Sequence, residues 1–198
     1  MKKHTILLAA LMLCIALGAM VPIFASPYQS SYIGLSHGKT TIEDERIRFI
    51  GLHIGSNLTD RISLGGFAHA QLLSDLPGMA FGYTVTPVDG AFTFTIGGEA
   101  VFTLFEDAFL NPMILIGMGN MTVGYIDQSE ESSKGELKIV SNSFTASVAG
   151  GFEINMFDDV TFHSIHGYRF ALHEALLGVP AQALSGYYHQ MGFRVSVY

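Results

Sequence analysis

The sequence contains no tryptophan, one cysteine and few charged residues, and each shortage excludes a class of protein. Charged residues make up 14% of the 198 residues, whereas a soluble domain typically has about 25%. The single cysteine, Cys14, excludes a fold built on disulfides. The net charge of −7 argues against nucleic-acid binding, which needs a basic surface. With a mean hydropathy of +0.38, the chain needs a long helical span, a very large core or a lipid-facing barrel surface.

The N-terminal residues have the layout of a secretory signal peptide. Two lysines precede an apolar run from Ile6 to Phe24, and the small residue Ala25 follows it. We therefore predict a helical signal peptide at 1–25, cleaved to leave a single mature domain at 26–198. The alternative is an uncleaved anchor, since roughly 18 apolar residues can span a bilayer. Pro22 and the small residue before the cleavage point favour the signal peptide.

Period-two alternation of apolar and polar residues dominates the rest of the chain. It is clearest at 91–105, where phenylalanines alternate with threonines and Glu99, and it recurs at 61–73 and 138–156. Such alternation predicts strands with two unlike faces. The polar face is small and hydroxyl-rich, and the apolar face is large and aliphatic or aromatic. A soluble barrel with a packed interior would alternate in the same way, so alternation alone does not say which face is inside.

Short acidic turns and longer polar connections alternate between these runs. The short turns contain Asp60, Asp107 and Asp159, and the longer connections lie near 38–45, 74–90, 127–136 and 171–185. Transmembrane barrels have short periplasmic turns and longer external loops. The sequence therefore predicts an all-β fold, a single antiparallel up-and-down transmembrane β-barrel of about eight strands. The predicted strands are 31–37, 46–57, 61–73, 91–105, 109–126, 137–156, 160–170 and 185–198.

Aromatic residues lie near both ends of the predicted strands, as in the interfacial girdles of membrane barrels. On the short-turn side they are Phe105, Phe109, Phe157, Phe162 and Tyr198. Towards the longer connections they are Tyr125, Tyr168 and Tyr187. The alternative interpretation is the general enrichment of strands in aromatic residues.

The mature chain resembles the small eight-stranded outer-membrane barrels of the OmpA and OmpX type. The resemblance rests on the alternation, on Gly-Gly strands that end in short acidic turns, and on the terminal strand 186–198. It implies an outer-membrane location, insertion by the barrel-assembly machinery, contact with outer-membrane lipid, and no cofactor. Tyr198 departs from the family pattern, because it shares parity with Arg194 and not with the apolar positions of its strand. Its role as the family's assembly signal therefore stays open.

Charged residues on the hydroxyl-rich faces are expected in the barrel interior if that face is the lumen. They are Glu99, Glu153, Arg169 and Arg194. Eight strands leave an interior that side chains just fill, and buried charges are costly unless they pair. We therefore predict a structural salt-bridge network among these four residues. The alternative is a gate in a narrow ion path.

Candidate catalytic residues occur in the segment His163-Ser164-Ile165-His166. Ser164 and His166 share a face, and Glu174 or Glu153 would orient the histidine. Outer-membrane lipid A deacylases are also small barrels that use a histidine, a serine and a glutamate. Their motif places the histidine two residues before the serine, with an asparagine after it, whereas here the order is reversed and the asparagine is missing. No compact spacing of metal ligands occurs, so no metal site is predicted.

The leading hypothesis is a membrane-embedded scaffold that presents surface loops to an external ligand or protein and has no enzymatic activity. Three alternatives stay open: a narrow gated pore, a lipid-modifying hydrolase, and a soluble lipocalin-like barrel with its apolar faces turned inward. The connection 171–185 is unusually apolar for an external loop. It is expected to touch lipid, fold over the barrel mouth, meet a partner or continue the seventh strand.

Overall fold

The computed structural model describes residues 30–42, 45–72, 92–105, 109–127, 136–172 and 184–197. These residues form eight antiparallel strands that close into one barrel, in which each strand pairs with its sequence neighbours and β1 pairs with β8. The strands are β1 (Ser31–Ile42), β2 (Glu45–Thr59), β3 (Ile62–Leu72), β4 (Phe92–Thr103), β5 (Leu110–Asp127), β6 (Glu136–Phe157), β7 (Val160–Ala171) and β8 (Gly186–Val197). The predicted all-β, up-and-down barrel of eight strands is confirmed.

The connection between β1 and β2 differs from the prediction. A longer loop was expected near 38–45, but β1 continues to Ile42 and pairs there with Glu45 at the start of β2. The expectation was wrong because the polar residues Lys39, Thr40 and Thr41 were assigned to a loop, whereas they extend the hairpin. The connections at 73–91, 128–135 and 173–183, and the predicted signal peptide at 1–25, lie outside the described residues.

The apolar faces of the strands point outward. Leu35, Ile50 and Met118 are 63%, 68% and 58% exposed, and the apolar residues Met191, Phe193, Val195 and Val197 of β8 are all exposed. A soluble monomer rarely leaves such a continuous apolar surface uncovered. The hydroxyl-rich face is therefore the interior one, which is the opposite of the arrangement that a soluble lipocalin-like barrel requires.

Glycines make room for large side chains inside the barrel. Gly55 on β2 and Gly65 on β3 are cross-strand partners, and a Cβ atom on either would collide with the buried ring of Tyr32. Gly51 has the same effect for Ser36 and His69. Because an eight-stranded barrel has a narrow interior, these missing side chains decide where the large ones fit.

The interior has an apolar cluster and a polar part. Buried apolar residues from β4, β5, β6 and β7 form one cluster, with Tyr188 of β8 packed against it: Val101, Met113, Leu115, Ala149 and Ile165. Buried polar and charged side chains from all eight strands, together with the rings of Tyr32, Phe49 and Phe67, fill the rest of the interior. Within the described residues, no helix is long and apolar enough to cross a membrane.

Candidate functional site

The polar part of the interior is organised around His53. Ser36 on β1 places its Oγ 2.9 Å from Nε2 of His53, and Nδ1 of His53 lies 2.9 Å from Oε1 of Glu99 on β4. The three side chains are buried, at 5%, 1% and 6% exposure. They lie on alternating positions that face inward, which is why a serine and a histidine far apart in the sequence meet there.

Gln190 on β8 extends this group. Its side-chain Nε2 lies 3.1 Å from Nε2 of His53 and 3.4 Å from Nε2 of His163. The ring of His69 is 5.4 Å from that of His53, between the two phenylalanines Phe49 and Phe67. We call Ser36, His53, His69, Glu99, His163 and Gln190 the lumen cluster.

The hydrogen bonds fix a consistent tautomer for His53. Because the amide of Gln190 donates to Nε2, that atom is the acceptor, and Nδ1–H then donates to the carboxylate of Glu99. The hydroxyl of Ser36 also donates to Nε2. Serine, histidine and carboxylate thus follow the order of a hydrolase triad. The cavity beside Glu99 has a volume of about 40 Å³, and Ser36 is not among the residues that line it.

The four predicted lumen charges have other direct partners than those expected. The carboxylate of Glu99 hydrogen-bonds to His53, with Oε1 2.9 Å from Nδ1, and not to an arginine. The guanidinium of Arg194 lies over the ring of Tyr32, 4.9 Å from its centroid. Arg169 donates from Nε to the carbonyl of Leu184 at 3.2 Å. The predicted arginine–carboxylate pairs are replaced by contacts with a histidine, a tyrosine ring and a backbone carbonyl, because these groups lie nearer in the folded barrel.

Glu153 is half-buried near the short-turn end of β6. It hydrogen-bonds to Asn111 and interacts electrostatically with Arg194. Arg194 interacts in the same way with Glu99, so it lies between the two acids without a close ion pair to either. Glu99, Arg169 and Arg194 are buried inside the barrel.

The end of the apolar connection 171–185 turns into the barrel. Leu184 is fully buried, and its carbonyl accepts the hydrogen bond from Arg169. The hydroxyl of Ser185 accepts a hydrogen bond from the backbone N–H of Ala171, which ties the two ends of the connection together. The predictions for the rest of this connection, 173–183, concern residues outside those that the structure describes.

The predicted catalytic residues lie on the outer wall. Ser164 and His166 of β7 share that face, but the histidine within reach of the Ser164 hydroxyl is His189 of β8, with Oγ and Nε2 3.3 Å apart. The ring of His166 stacks on His189 at 4.2 Å. The pairing of His166 with His189 across the β7–β8 ladder produces this arrangement. Glu174 lies outside the described residues.

The predicted girdle residues lie at the two ends of the outer wall. Phe105, Phe109 and Phe157 are exposed near the short turns, at 55%, 73% and 70%. Phe162 lies two residues into β7 from that end, and its ring packs against the ring of Phe193. At the other end Tyr187 is 73% exposed and meets the ring of Tyr168 edge-on at 4.9 Å. Tyr198 and the side chain of Tyr125 lie outside what the structure describes.

No metal centre is visible in the described part of the chain, where no three His, Cys, Asp or Glu side chains are grouped to hold an ion. The lumen cluster has three histidines and one glutamate. Both ring nitrogens of His53 bond to Ser36, Glu99 and Gln190, whereas Nε2 of His69 and Nδ1 of His163 are buried without a hydrogen-bond partner.

The closed barrel, the apolar outer wall and the filled interior define the fold of the small eight-stranded outer-membrane barrels. Neisserial surface protein A has a similar structure, with a TM-score of 0.64 and 11% identity over 84% of this chain and 96% of that one. The N-terminal β-barrel domain of Pseudomonas aeruginosa OprF is also similar, with a TM-score of 0.55 and 10% identity over 85% of this chain and 99% of the domain. No protein-family model and no curated protein sequence matches the chain.

Ser36, His53 and Gln190 were missed as site residues in the sequence. Each lies at a strand position that points into the barrel. In β1, β2 and β8 these positions are predictable, because they alternate with the apolar residues that point outward. The alternation within a strand does not predict the register between strands, and the register determines that these three residues meet.

Proposed function

We propose that this chain is an integral outer-membrane β-barrel, exported by a cleaved signal peptide, that acts as a scaffold for surface loops. The observation that carries the proposal is the combination of an apolar outer wall with a filled interior. The wall exposes large apolar side chains such as Leu35 and Ile50, whereas the cavity inside is about 40 Å³. Contact with lipid explains why the outer wall is apolar. Because the interior is packed with side chains, the loops are the part of the barrel that faces water and can vary.

The interior supports a closed scaffold better than a pore. The cavity is lined by His69, Glu99 and Arg169 on its polar side and by Leu115 on its apolar side. Its volume accommodates a few water molecules at most, since one water needs roughly 10–15 Å³ by this measure. A conducting path would require the apolar cluster around Leu115 and Ile165 to separate.

The binding surface of such a scaffold is formed by the connections at 73–91, 128–135 and 173–183, between strands that end on the same side of the barrel. We expect these loops to contact an external ligand or protein, the outer wall to contact outer-membrane lipid, and the barrel-assembly machinery to insert the chain.

Two measurements test the proposal together. Cell fractionation should place the full-length protein in carbonate-washed outer membranes, with a gel mobility that changes on heating as the barrel unfolds. Planar bilayers containing the same protein should show no stepwise conductance. Release of the protein by osmotic shock would contradict the membrane location, and regular conductance steps would contradict the closed interior.

A lipid hydrolase is the second candidate, because the hydroxyl of Ser164 lies 3.3 Å from Nε2 of His189 on the outer wall. A serine and a histidine at this distance are the smallest set of residues that provides a nucleophile and its general base. The neighbours of His189 are His166 and Lys39, and neither supplies the carboxylate that orients the base of a hydrolase triad. Lipid A from cells that overproduce the protein should therefore have the same acyl chains as lipid A from cells with Ser164→Ala. Acyl chains lost only with the unchanged protein would establish the hydrolase.

A further inference from the structure

A row of four basic residues crosses the outer wall over four neighbouring strands. Arg48 of β2 pairs with Lys39 of β1, Lys39 pairs with His189 of β8, and His189 pairs with His166 of β7. Because directly paired residues in an antiparallel ladder point to the same face, all four side chains project from the same side of the wall. Arg48, Lys39 and His166 are exposed, and His189 is half-exposed. We call this set the basic row.

The row is compact. Neighbouring strands are about 4.8 Å apart, so the four residues span roughly 15 Å. The rings of His166 and His189 stack with 4.2 Å between centroids, and His189 is close enough to Lys39 to interact with its charge. Like charges directly opposite each other in a ladder are destabilising unless an anion lies between them.

Among the described side chains of these four strands, no carboxylate lies in the row or in the two rows towards the short turns. Among the described outward-facing side chains of β1, β2, β7 and β8, the next row towards the short turns consists of Ile50, His37, Met191 and Ser164. Beyond it the wall is apolar, with Leu52, Leu35, Phe193 and Phe162 in one row. Towards the short turns, the described part of the wall therefore offers Lys39 and Arg48 no acidic partner.

The height of the row lies within about 5 Å of the edge of the apolar band, on the side of the longer connections. Lys39 lies about eight residues from the start of β1, which is about 20 Å above that end at a rise of ~3.4 Å per residue and a strand tilt of ~40°. The apolar band of a transmembrane barrel is about 25 Å tall. The aromatic rings of Tyr187 and Tyr168 lie on the long-connection side of the row, where interfacial aromatics are expected.

We propose that the basic row binds the phosphate of an anionic lipid in the outer leaflet. The cations lie between apolar wall on one side, which suits acyl chains, and aromatic rings on the other, which suit the headgroup region. Arginine and lysine are the usual phosphate partners, and the histidines add hydrogen-bond donors at the same level. This inference rests on the membrane location proposed above.

The absence of tryptophan in the whole sequence allows a clean test. Tyr187→Trp adds one fluorophore in the row next to His189, at a side chain that is 73% exposed. The full-length variant is reconstituted in phosphatidylcholine vesicles that contain a trace of acyl-dansylated phosphatidylglycerol or, separately, acyl-dansylated phosphatidylcholine. Energy transfer from the tryptophan to the dansyl group then reports which lipid is enriched beside the row.

The expected result is enrichment of phosphatidylglycerol over phosphatidylcholine, lowered about fivefold by each of Lys39→Gln and Arg48→Gln in the Tyr187→Trp background, because one basic residue near an anionic surface contributes about that factor. Arg61→Gln is the matched control, since it removes an exposed positive charge in the short turn after β2, at the opposite end of the barrel, and should leave the enrichment unchanged.

The outcomes separate the inference from the function on which it rests. Equal transfer to both lipids, or the same enrichment in the Lys39 and Arg48 variants, overturns the lipid site while leaving the membrane barrel intact. Transfer to neither lipid overturns the membrane location and the inference with it. Loss of the enrichment in phosphate buffer, compared with chloride of equal ionic strength, would identify a site for free phosphate and overturn the lipid assignment.

Discussion

His53 and Glu99 are separated by 46 positions in the sequence, and their side chains lie 2.9 Å apart inside the barrel. The carboxylate accepts a hydrogen bond from Nδ1 of the imidazole, and Nε2 of the same ring accepts from Gln190. A buried carboxylate without such a partner would carry a large desolvation penalty. His53 is therefore the residue that permits an acid in the interior, and it connects β2, β4 and β8 through one ring.

Replacing Glu99 by alanine is expected to lower the free energy of unfolding by about 2–4 kcal/mol, because it leaves Nδ1 of His53 without its acceptor in a buried site. Urea titration of the barrel folded in lipid vesicles, followed by circular dichroism, measures the change. Glu153→Ala is the matched control: this acid is only half-buried, and its loss should lower the free energy by under about 1 kcal/mol. Equal losses in the two variants would contradict the role given to the His53–Glu99 pair.

Gly51→Ala is expected to destabilise the barrel by about 1–3 kcal/mol through overpacking. The added Cβ atom would collide with the hydroxyl of Ser36 and approach Cδ2 of His69 to 2.6 Å. Gly98→Ala serves as the control, since the nearest heavy atom to its Cβ would be 3.7 Å away. The midpoint of urea unfolding should fall for the first variant and stay within error for the second. A tolerated Gly51→Ala would show that the lumen cluster is loosely packed.

Met118→Arg tests whether the outer wall faces lipid. Met118 is 58% exposed on β5, so in a soluble barrel the substitution would change stability by about 0.5 kcal/mol or less. In a bilayer an arginine near the midplane costs about 2–4 kcal/mol, and one near the interface costs about 0–1 kcal/mol. Leu110→Arg, at the short-turn end of the same strand, should therefore be nearly neutral. Folding titrations in lipid vesicles compare the two, and a neutral Met118→Arg would argue against the membrane location.

Leu184→Ala is expected to cost about 2–4 kcal/mol, because this side chain is fully buried at the end of the connection between β7 and β8. Leu172, at the other end of that connection, is 49% exposed, and its replacement by alanine should have a small effect. Proteolysis of the folded barrel gives a second readout, since release of Leu184 would expose the connection to cleavage. If both variants unfold at the same urea concentration, Leu184 does not anchor the segment at the barrel mouth.

Much of the fold follows from local patterns in the sequence. The alternation at 91–105 predicted β4 (Phe92–Thr103) and its inward Glu99, and the short acidic turns predicted the tight connections before β3 and β7. These features are local because neighbouring residues of a strand point to opposite faces, whatever the strand pairs with. The same local reasoning failed at 38–45, where polar residues continue a hairpin instead of forming a loop.

The sequence by itself determined where most of the strands run, apart from the ends of β1 and β2 near 38–45, and which face of each strand is apolar. The exposed apolar wall of the structure then placed the hydroxyl-rich face and its charges inside. The partners of those charges were decided by the tertiary structure. Gln190 meets His53 across 137 positions because the barrel closes between β1 and β8, and Ser164 meets His189 and not His166 because of the register of β7 and β8. The physical reason is that register and closure depend on the fit of all side chains at once, the missing ones at Gly51, Gly55 and Gly65 included, and no single strand encodes that fit.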